Sequence, residues 1–168
     1  MTVEIVPCDT AHLAAAIEDV SALAALVGGE VAPGLIEDEF RGDFRFALAE
    51  LQRRPELSGW WTALFVQPSP RTVCGMGGFR GPPDASGMVE IGYSIAPGLR
   101  GRGLATEAAR ELVRIALADA RVRWIQAHTL AQANASTRVL EKLGFRKVAE
   151  LLDPKEHPDP IWRWRLDR

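Results

Sequence analysis

The chain has few of the features that would assign it to a specialised class of protein. Cys8 and Cys74 are its only cysteines, and they lie too far apart to form a metal-binding pair or a disulfide framework. No apolar run approaches the roughly 20 residues needed to cross a bilayer. Residues 1–7 show no basic region followed by an apolar stretch, as a secretory signal would. We therefore expect a cytoplasmic protein with reduced thiols, no metal and no membrane contact.

Net charge is also small. The 168 residues carry a formal net charge of −2, which gives no general attraction for nucleic acid or for an anionic membrane. We therefore expect no nucleic-acid partner. The length suits one domain, covering 1–168. A content of 47% hydrophobic and 25% charged residues is typical of a soluble globular protein.

The clearest pattern in the sequence lies in residues 88–117. Apolar residues alternate with Glu90 and Ser94 up to Ile95, which predicts a strand. Pro97 cannot donate to a sheet ladder, so the strand should end near residue 96. From Leu104 the apolar residues return at helical spacing, which predicts an amphipathic helix.

The loop between this strand and helix has the composition of an anion receptor. Gly101 and Gly103 leave the backbone bare, so that a ligand can approach its N–H groups. The helix start adds unpaired N–H groups and a positive dipole end, and Arg100 and Arg102 add full charges. The pattern predicts a phosphate or pyrophosphate site. An ordinary strand–helix turn rich in Gly and Arg is the alternative.

The remaining patterns predict an α/β sandwich with a mixed sheet. The predicted order is strand, two helices, three strands, helix, strand, helix, two strands. The first helix should run from Asp9 or Thr10 through Leu23, and residues 31–40 read as a loop. Ser136 or Asn134 should cap the last helix. A proline-rich loop is expected at 153–160.

Two segments in order resemble a known family. The first is Arg100-x-x-Gly103-x-Ala105, between a strand that contains Glu90 and an Ala-rich helix; the second runs from Asn134 to Phe145. Together they resemble the cofactor site of the GNAT-type N-acetyltransferases, and their sequence is most similar to that of the ribosomal-protein (RimJ/RimL-like) branch. The resemblance implies the α/β GNAT fold, a mixed and mostly antiparallel central sheet flanked by helices. It also implies an acyltransferase with acetyl-CoA as co-substrate, and homodimers through the late strands are common among similar proteins.

The same resemblance implies the reaction and its residues. An acetyl group would pass to a primary amine, on a protein or peptide N-terminus or on a small molecule, by direct attack in a ternary complex. Glu90 is the candidate base and Ser136 the candidate acid, because the tyrosine of many members is replaced here by Leu140. A backbone N–H near Ile95 is the candidate oxyanion donor. The implied cofactor-binding residues are Tyr93, Ser94, Ile95, Arg100, Gly101, Arg102, Gly103, Leu104, Ala105, Thr106 and Asn134.

Alternatives remain open for several of these roles. Glu90 would also suit a salt-bridged position on a half-exposed strand, and Ser136 would suit a helix cap. His128 is an alternative base at the end of its strand. Asn134 stands two residues before the serine, whereas the branch usually has three.

Two other functions also remain open. The missing tyrosine and the shifted asparagine permit a non-catalytic acyl-CoA-binding regulatory module. Gly101-x-Gly103 is also part of a dinucleotide fingerprint, but Thr106 stands where the third glycine belongs, and Asp119 closes the helix where a strand end should carry an acid.

Overall fold

The computed structural model describes residues 3–152 and 158–168. Its strands are β1 (Glu4–Pro7), β2 (Glu30–Val31), β3 (Thr62–Pro68), β4 (Arg71–Phe79), β5 (Met88–Ile95), β6 (Trp124–Leu130), β7 (Arg146–Leu151) and β8 (Ile161–Asp167). Its helices are α1 (Thr10–Glu18), α2 (Val20–Val27), α3 (Arg41–Arg53), α4 (Leu104–Ala118) and α5 (Ala135–Lys142), with short 3₁₀ turns at Asp38–Phe40, Pro55–Leu57 and Pro97–Leu99. Part of the loop expected at 153–160 lies outside the described residues.

The N-terminal region differs from the prediction in two places. The single helix expected through Leu23 is two helices, because Asp19 adopts an extended conformation and its carboxylate accepts a hydrogen bond from the Ser21 N–H. An aspartate that bonds its own neighbouring backbone competes with a continuing helix and starts a new one. The expected loop over residues 31–40 also takes part in β2, which pairs in parallel with β4.

The sheet is continuous but it splits near its centre. Its order is β1-β3-β4-β5-β6-β8-β7, and every pair along this path is antiparallel except β5 with β6. That pair is parallel and joins only Met88–Glu90 to Trp124–Gln126. Both strands are fully described, and beyond Glu90 they form no further pairs. A gap therefore opens between Ile91–Ile95 and the second half of β6.

Two hydrophobic cores hold the sheet between layers of helices. One packs α4 and α5 against one face and the other packs α1, α2 and α3 against the opposite face. Fully burying a leucine or phenylalanine contributes roughly 1.5–3 kcal/mol, and each core buries several such side chains. The first core includes Leu104, Leu112, Ile125 and Leu140, and the second includes Leu13, Leu23, Phe44 and Leu64. The predicted α/β architecture with a mixed, mostly antiparallel sheet is confirmed.

Candidate active site

The gap between β5 and β6 exposes backbone hydrogen-bonding groups. The Ala96 N–H donates to the Cys74 carbonyl, and the Glu90 carbonyl accepts from the Arg80 N–H, so these residues face β4. Backbone groups alternate in direction along a strand. The N–H groups of Ile91, Tyr93 and Ile95 therefore face the gap. An extended chain with amide groups can pair with this edge as an additional strand would.

The loop after β5 has the bare geometry that its glycines predict. Gly101 and Gly103 have φ angles of +77° and +81°, and a side-chain carbon built at either one would meet no atom within 4 Å. Gly103 occupies the N-cap position just before α4 and provides no side-chain cap. The first N–H groups of α4 consequently have no partner within the helix and face open space. An anion can approach this helix start closely.

The two arginines of this loop differ in their contacts. The Arg100 Nε donates to the Ile95 carbonyl at 3.0 Å, which ties the loop to the end of β5. An Arg102 amino group lies 3.4 Å from the Gly98 carbonyl, and its side chain is exposed. Leu104, also predicted at this site, is the first residue of α4, and its side chain is buried in the first core. Its backbone N–H, not its side chain, is available to a ligand.

The start of α5 lies across the gap from β5. Asn134 caps this helix, since its side chain accepts a hydrogen bond from the Thr137 N–H at 3.0 Å. The Thr137 hydroxyl oxygen in turn accepts from the Asn134 backbone N–H. Ser136 therefore does not cap the helix, and among the described residues its hydroxyl has no hydrogen-bond partner. The Tyr93 hydroxyl donates to the Ser136 carbonyl at 3.3 Å across the gap. Burial raises the pKa of Tyr93 well above its ordinary range, so this hydroxyl keeps its proton.

Glu90 stands where the gap begins and is held by three donors. Its carboxylate accepts from Gln126 at 2.8 Å and from His128 Nδ1 at 3.2 Å, and Arg80 Nε lies 3.2 Å away. Burial raises the pKa of Glu90, but the hydrogen bonds from His128 and Gln126 and the nearby positive charge of Arg80 outweigh it. The pKa of Glu90 therefore lies below its ordinary value. The carboxylate is charged and well oriented, and its proton affinity is weak.

His128 connects Glu90 to a cavity. Because the Arg163 Nε donates to His128 Nε2 at 3.3 Å, we assign the imidazole proton to Nδ1, which donates to Glu90. Nε2 then carries the lone pair. Its contact with Arg163 is long, so another donor can replace it. His128 lines the cavity, whereas Glu90 does not.

The cavity has a volume of about 420 Å³ and lies beside the open gap. Gly92, Tyr93 and Ser94 of β5 and His128 of β6 form one part of its wall. The indole N–H of Trp61, also a wall residue, is buried with no hydrogen-bond partner among the described residues. A buried donor without a partner costs about 1–3 kcal/mol, so we expect a ligand or a water to accept from it.

The structure brings most of the sequence-predicted residues to one region. Glu90 and the β5 segment Tyr93–Ile95 border the gap, Arg100–Thr106 follow at the end of β5, and Ser136 lies within hydrogen-bonding reach of the Tyr93 side chain. Sequence reasoning missed Arg80, Gln126 and Arg163, which surround the Glu90–His128 pair. No local pattern marks them, because three strands must first meet to bring them together.

Some residues of the segment that connects α1 to β3 line the cavity, and others do not. Phe40 and Phe44 line the cavity, but Leu35 is buried in the second core and Glu37 and Asp38 are not among the lining residues. Within residues 3–152 and 158–168 no group of His, Cys, Asp and Glu could hold a metal ion. No helix in those ranges is long and apolar enough to span a membrane.

Comparison with known proteins identifies the family. The model of the acetyltransferase (GNAT) domain matches residues 8–146. The N-acetyltransferase YjdG of Bacillus subtilis is 36% identical over 87 residues, a match that spans 52% of this chain and 52% of the length of that relative.

Solved structures show the same fold. The yncA protein of Salmonella typhimurium, solved with its cofactor acetyl-CoA, has a TM-score of 0.66 and 22% identity, with 99% of this chain and 94% of that chain covered. A dodecameric spermidine N-acetyltransferase from Vibrio cholerae has a TM-score of 0.68 and 11% identity, with 99% and 94% covered. At these identities the likeness establishes the fold alone. The family match goes further, and the chain belongs to the GNAT family of acetyltransferases, acyltransferases that use acetyl-CoA.

Proposed function

We propose that this protein binds acetyl-CoA in the gap and transfers its acetyl group to a primary amine bound in the adjoining cavity. The observation that carries the proposal is the split between β5 and β6. It leaves the N–H groups of Tyr93 and Ile95 unpaired beside a glycine loop and an uncapped helix start. An extended pantetheine with two amides fits the strand edge, and a diphosphate fits the N–H groups at the start of α4.

The proposed reaction is a direct attack. The amine nitrogen attacks the thioester carbonyl carbon, the carbon–sulfur bond breaks, and the sulfur leaves as a thiolate. The Ile95 N–H faces the gap and would donate to the carbonyl oxygen as negative charge builds there. The Ser136 hydroxyl would pass a proton to the thiolate and recover one from water, and it is free to do so because Asn134 caps α5.

The amine must lose a proton during the attack. We assign this step to the Glu90–His128 pair: His128 lines the cavity, its Nε2 would take the proton in place of the contact with Arg163, and the Glu90 carboxylate would stabilise the resulting imidazolium through Nδ1. A histidine suits this role because the unprotonated nitrogen of a neutral imidazole can accept a proton from the attacking amine. Glu90, predicted as the base, then acts through His128 as a positioning residue.

The acceptor amine is either small or part of a protein or peptide. The resemblance of residues 134–145 to the RimJ/RimL-like branch supports a protein N-terminus, whereas the size of the cavity supports a small molecule. The buried, free thiols of Cys8 and Cys74 support a cytoplasmic location, where thiols stay reduced. A homodimer through β7 and β8 remains a prediction that sedimentation would test.

The test is release of thiol from acetyl-CoA with a panel of amines, followed by two variants. Glu90→Gln should lower kcat by about 10²–10⁴-fold and leave acetyl-CoA affinity within about threefold. His128→Gln should lower kcat similarly. Glu111→Gln on the exposed face of α4 is the matched control and should leave both constants unchanged. Full turnover in Glu90→Gln would remove the pair from the mechanism.

The same assay distinguishes the proposed enzyme from a regulatory module. A non-catalytic module would bind acetyl-CoA and release no thiol with any amine of a broad panel. A dinucleotide site would instead show stabilisation by NAD, which we do not expect.

A further inference from the structure

Aromatic side chains form one side of the cavity wall. Their rings come from α3, the 3₁₀ turn before it and the residue that precedes β3. They belong to Phe40, Phe44, Phe46 and Trp61. Phe79 and Tyr93 also line the cavity, but their side chains pack in the core on the α4 side of the sheet. A volume of about 420 Å³ lies toward the small end of the range of about 300–1,000 Å³ for ligand pockets. Such a space holds one small molecule with an apolar body.

Charge is sparse in this wall. Among the described lining residues, Asp43 is acidic and Arg80 is basic, so the two formal charges cancel. A polyamine carries several positive charges, and each needs a carboxylate or water when it leaves solvent. One carboxylate opposed by an arginine does not provide that. An amine with a single positive charge and an apolar body matches the wall better, because aromatic faces attract one cation and bury one apolar group.

Gly92 marks the place where the apolar body would lie. A side-chain carbon built there meets no atom within 4 Å, and its backbone is not in the left-handed region. By contrast, a carbon built at Gly77, also in the wall, would lie 2.1 Å from the Gly92 carbonyl oxygen, so Gly77 is required by packing between β4 and β5. Packing therefore does not require glycine at position 92. Gly92 lies on the same face of β5 as Glu90 and Ser94 and lines the cavity, so its missing side chain leaves room there.

From these observations we infer that the acceptor is a small primary amine joined by a short chain to an aromatic or similarly bulky apolar group. The inference rests on the proposed acetyl transfer and specifies its substrate class. It differs from the polyamine of the Vibrio cholerae neighbour, whose resemblance extends to the fold alone.

The experiment measures kcat/KM for four acceptors: 2-phenylethylamine, ethylamine, spermidine and a short peptide with N-terminal alanine. We expect 2-phenylethylamine to exceed each of the others by at least about tenfold, since each buried methylene is worth about 10–200-fold in an apolar pocket. A higher value for spermidine or the peptide overturns the inference and leaves the proposed acetyl transfer standing. If no amine is acetylated while acetyl-CoA still binds, both fail.

The second measurement uses a variant in which a side chain fills part of the cavity. Gly92→Leu places a side chain in the open space and should lower kcat/KM for 2-phenylethylamine by at least about tenfold, with ethylamine changed by less than about threefold. Gly42→Leu is the matched control, because position 42 is also open but lies outside the cavity wall. Equal losses for both amines in Gly92→Leu, with acetyl-CoA binding intact, would overturn the inference.

A third variant guards against a folding defect at position 92. The Phe46 side chain is 57% exposed and packs edge-on against Trp61 at 5.5 Å between ring centroids. Phe46→Ala removes part of the wall surface without opening the core. It should therefore weaken the binding of 2-phenylethylamine more than that of ethylamine, seen as a higher KM for 2-phenylethylamine. An unchanged KM in this variant would contradict an aromatic-lined acceptor site.

Discussion

Replacing Gly103 by aspartate tests whether the start of α4 holds the diphosphate of coenzyme A. Gly103 has a φ of +81°, and the space above it is open, so the new side chain would point into the proposed anion site. Asparagine has the same shape, and both residues tolerate the left-handed conformation better than other side chains. The Gly103→Asp and Gly103→Asn variants therefore share the backbone cost and differ in one negative charge.

The size of the effect follows from the charge. A carboxylate about 5 Å from a phosphate repels it by about 3 kcal/mol at an effective dielectric constant of about 20, which corresponds to about a hundredfold loss of affinity. At a concentration of 100 Kd, coenzyme A should stabilise the native protein by about 2.7 kcal/mol, or about 5–10 °C in Tm. At the same concentration the Gly103→Asp protein should retain less than about 1 kcal/mol of that stabilisation.

The assay is titration calorimetry with coenzyme A, supported by thermal unfolding with and without it. The Gly103→Asn protein should bind with at most about tenfold loss, a size corresponding to about 1.4 kcal/mol. The penalty for aspartate should also shrink in 1 M salt, where the screening length falls to about 3 Å. If both variants bind coenzyme A with equal affinity at low salt, the diphosphate does not lie over this loop.

Three further predictions concern stability. Gly42→Ala should raise the free energy of unfolding by about 0.4–1 kcal/mol, measured by urea denaturation, because position 42 is exposed in α3 with open space around it; a loss would mean that the bare backbone has a role. Leu112→Ala should cost about 2–5 kcal/mol, since Leu112 is fully buried under α4, and a cost below 1 kcal/mol would contradict that packing. Asp119 should contribute to acid sensitivity: hydrogen bonds from the Arg121 side chain and backbone lower its pKa to about 2. The contribution of Asp119 to the free energy of unfolding is therefore complete above the pKa of an unfolded aspartate, near 4, and is lost as pH falls toward 2. Asp119→Asn should make the free energy of unfolding depend less on pH between about 4 and 2.

The elements that the sequence predicts well are those with a strong local cause. Period-two alternation places β5, and the return of helical spacing at Leu104 places α4, because one face of each element must be buried. Gly101 and Gly103 were interpreted as a bare bend, and their positive φ angles agree. Asp19 was missed as a helix break, because one aspartate within an apolar helical pattern is a weak local signal.

The candidate site also has one part that the sequence predicts and another part that it does not. The glycine loop is a continuous stretch of chain, so its composition predicts its chemistry. The surroundings of Glu90 are not continuous: Arg80 follows β4, and Gln126 and His128 lie more than 30 residues later, on β6. Similarly, the aromatic residues around α3 give no periodic signal that they face a cavity, because β3, β4 and β5 complete that cavity.

The sequence by itself determined the strand–glycine loop–helix unit and, through its resemblance, the family, because both depend on short-range order along the chain. Only the tertiary structure decided where β5 and β6 separate, which proton carriers surround Glu90 and what lines the acceptor cavity. The physical reason is that strand register and packing join residues far apart in the chain. In particular, parallel pairing that ends at Glu90 and Gln126 leaves the next backbone amides of β5 without a partner.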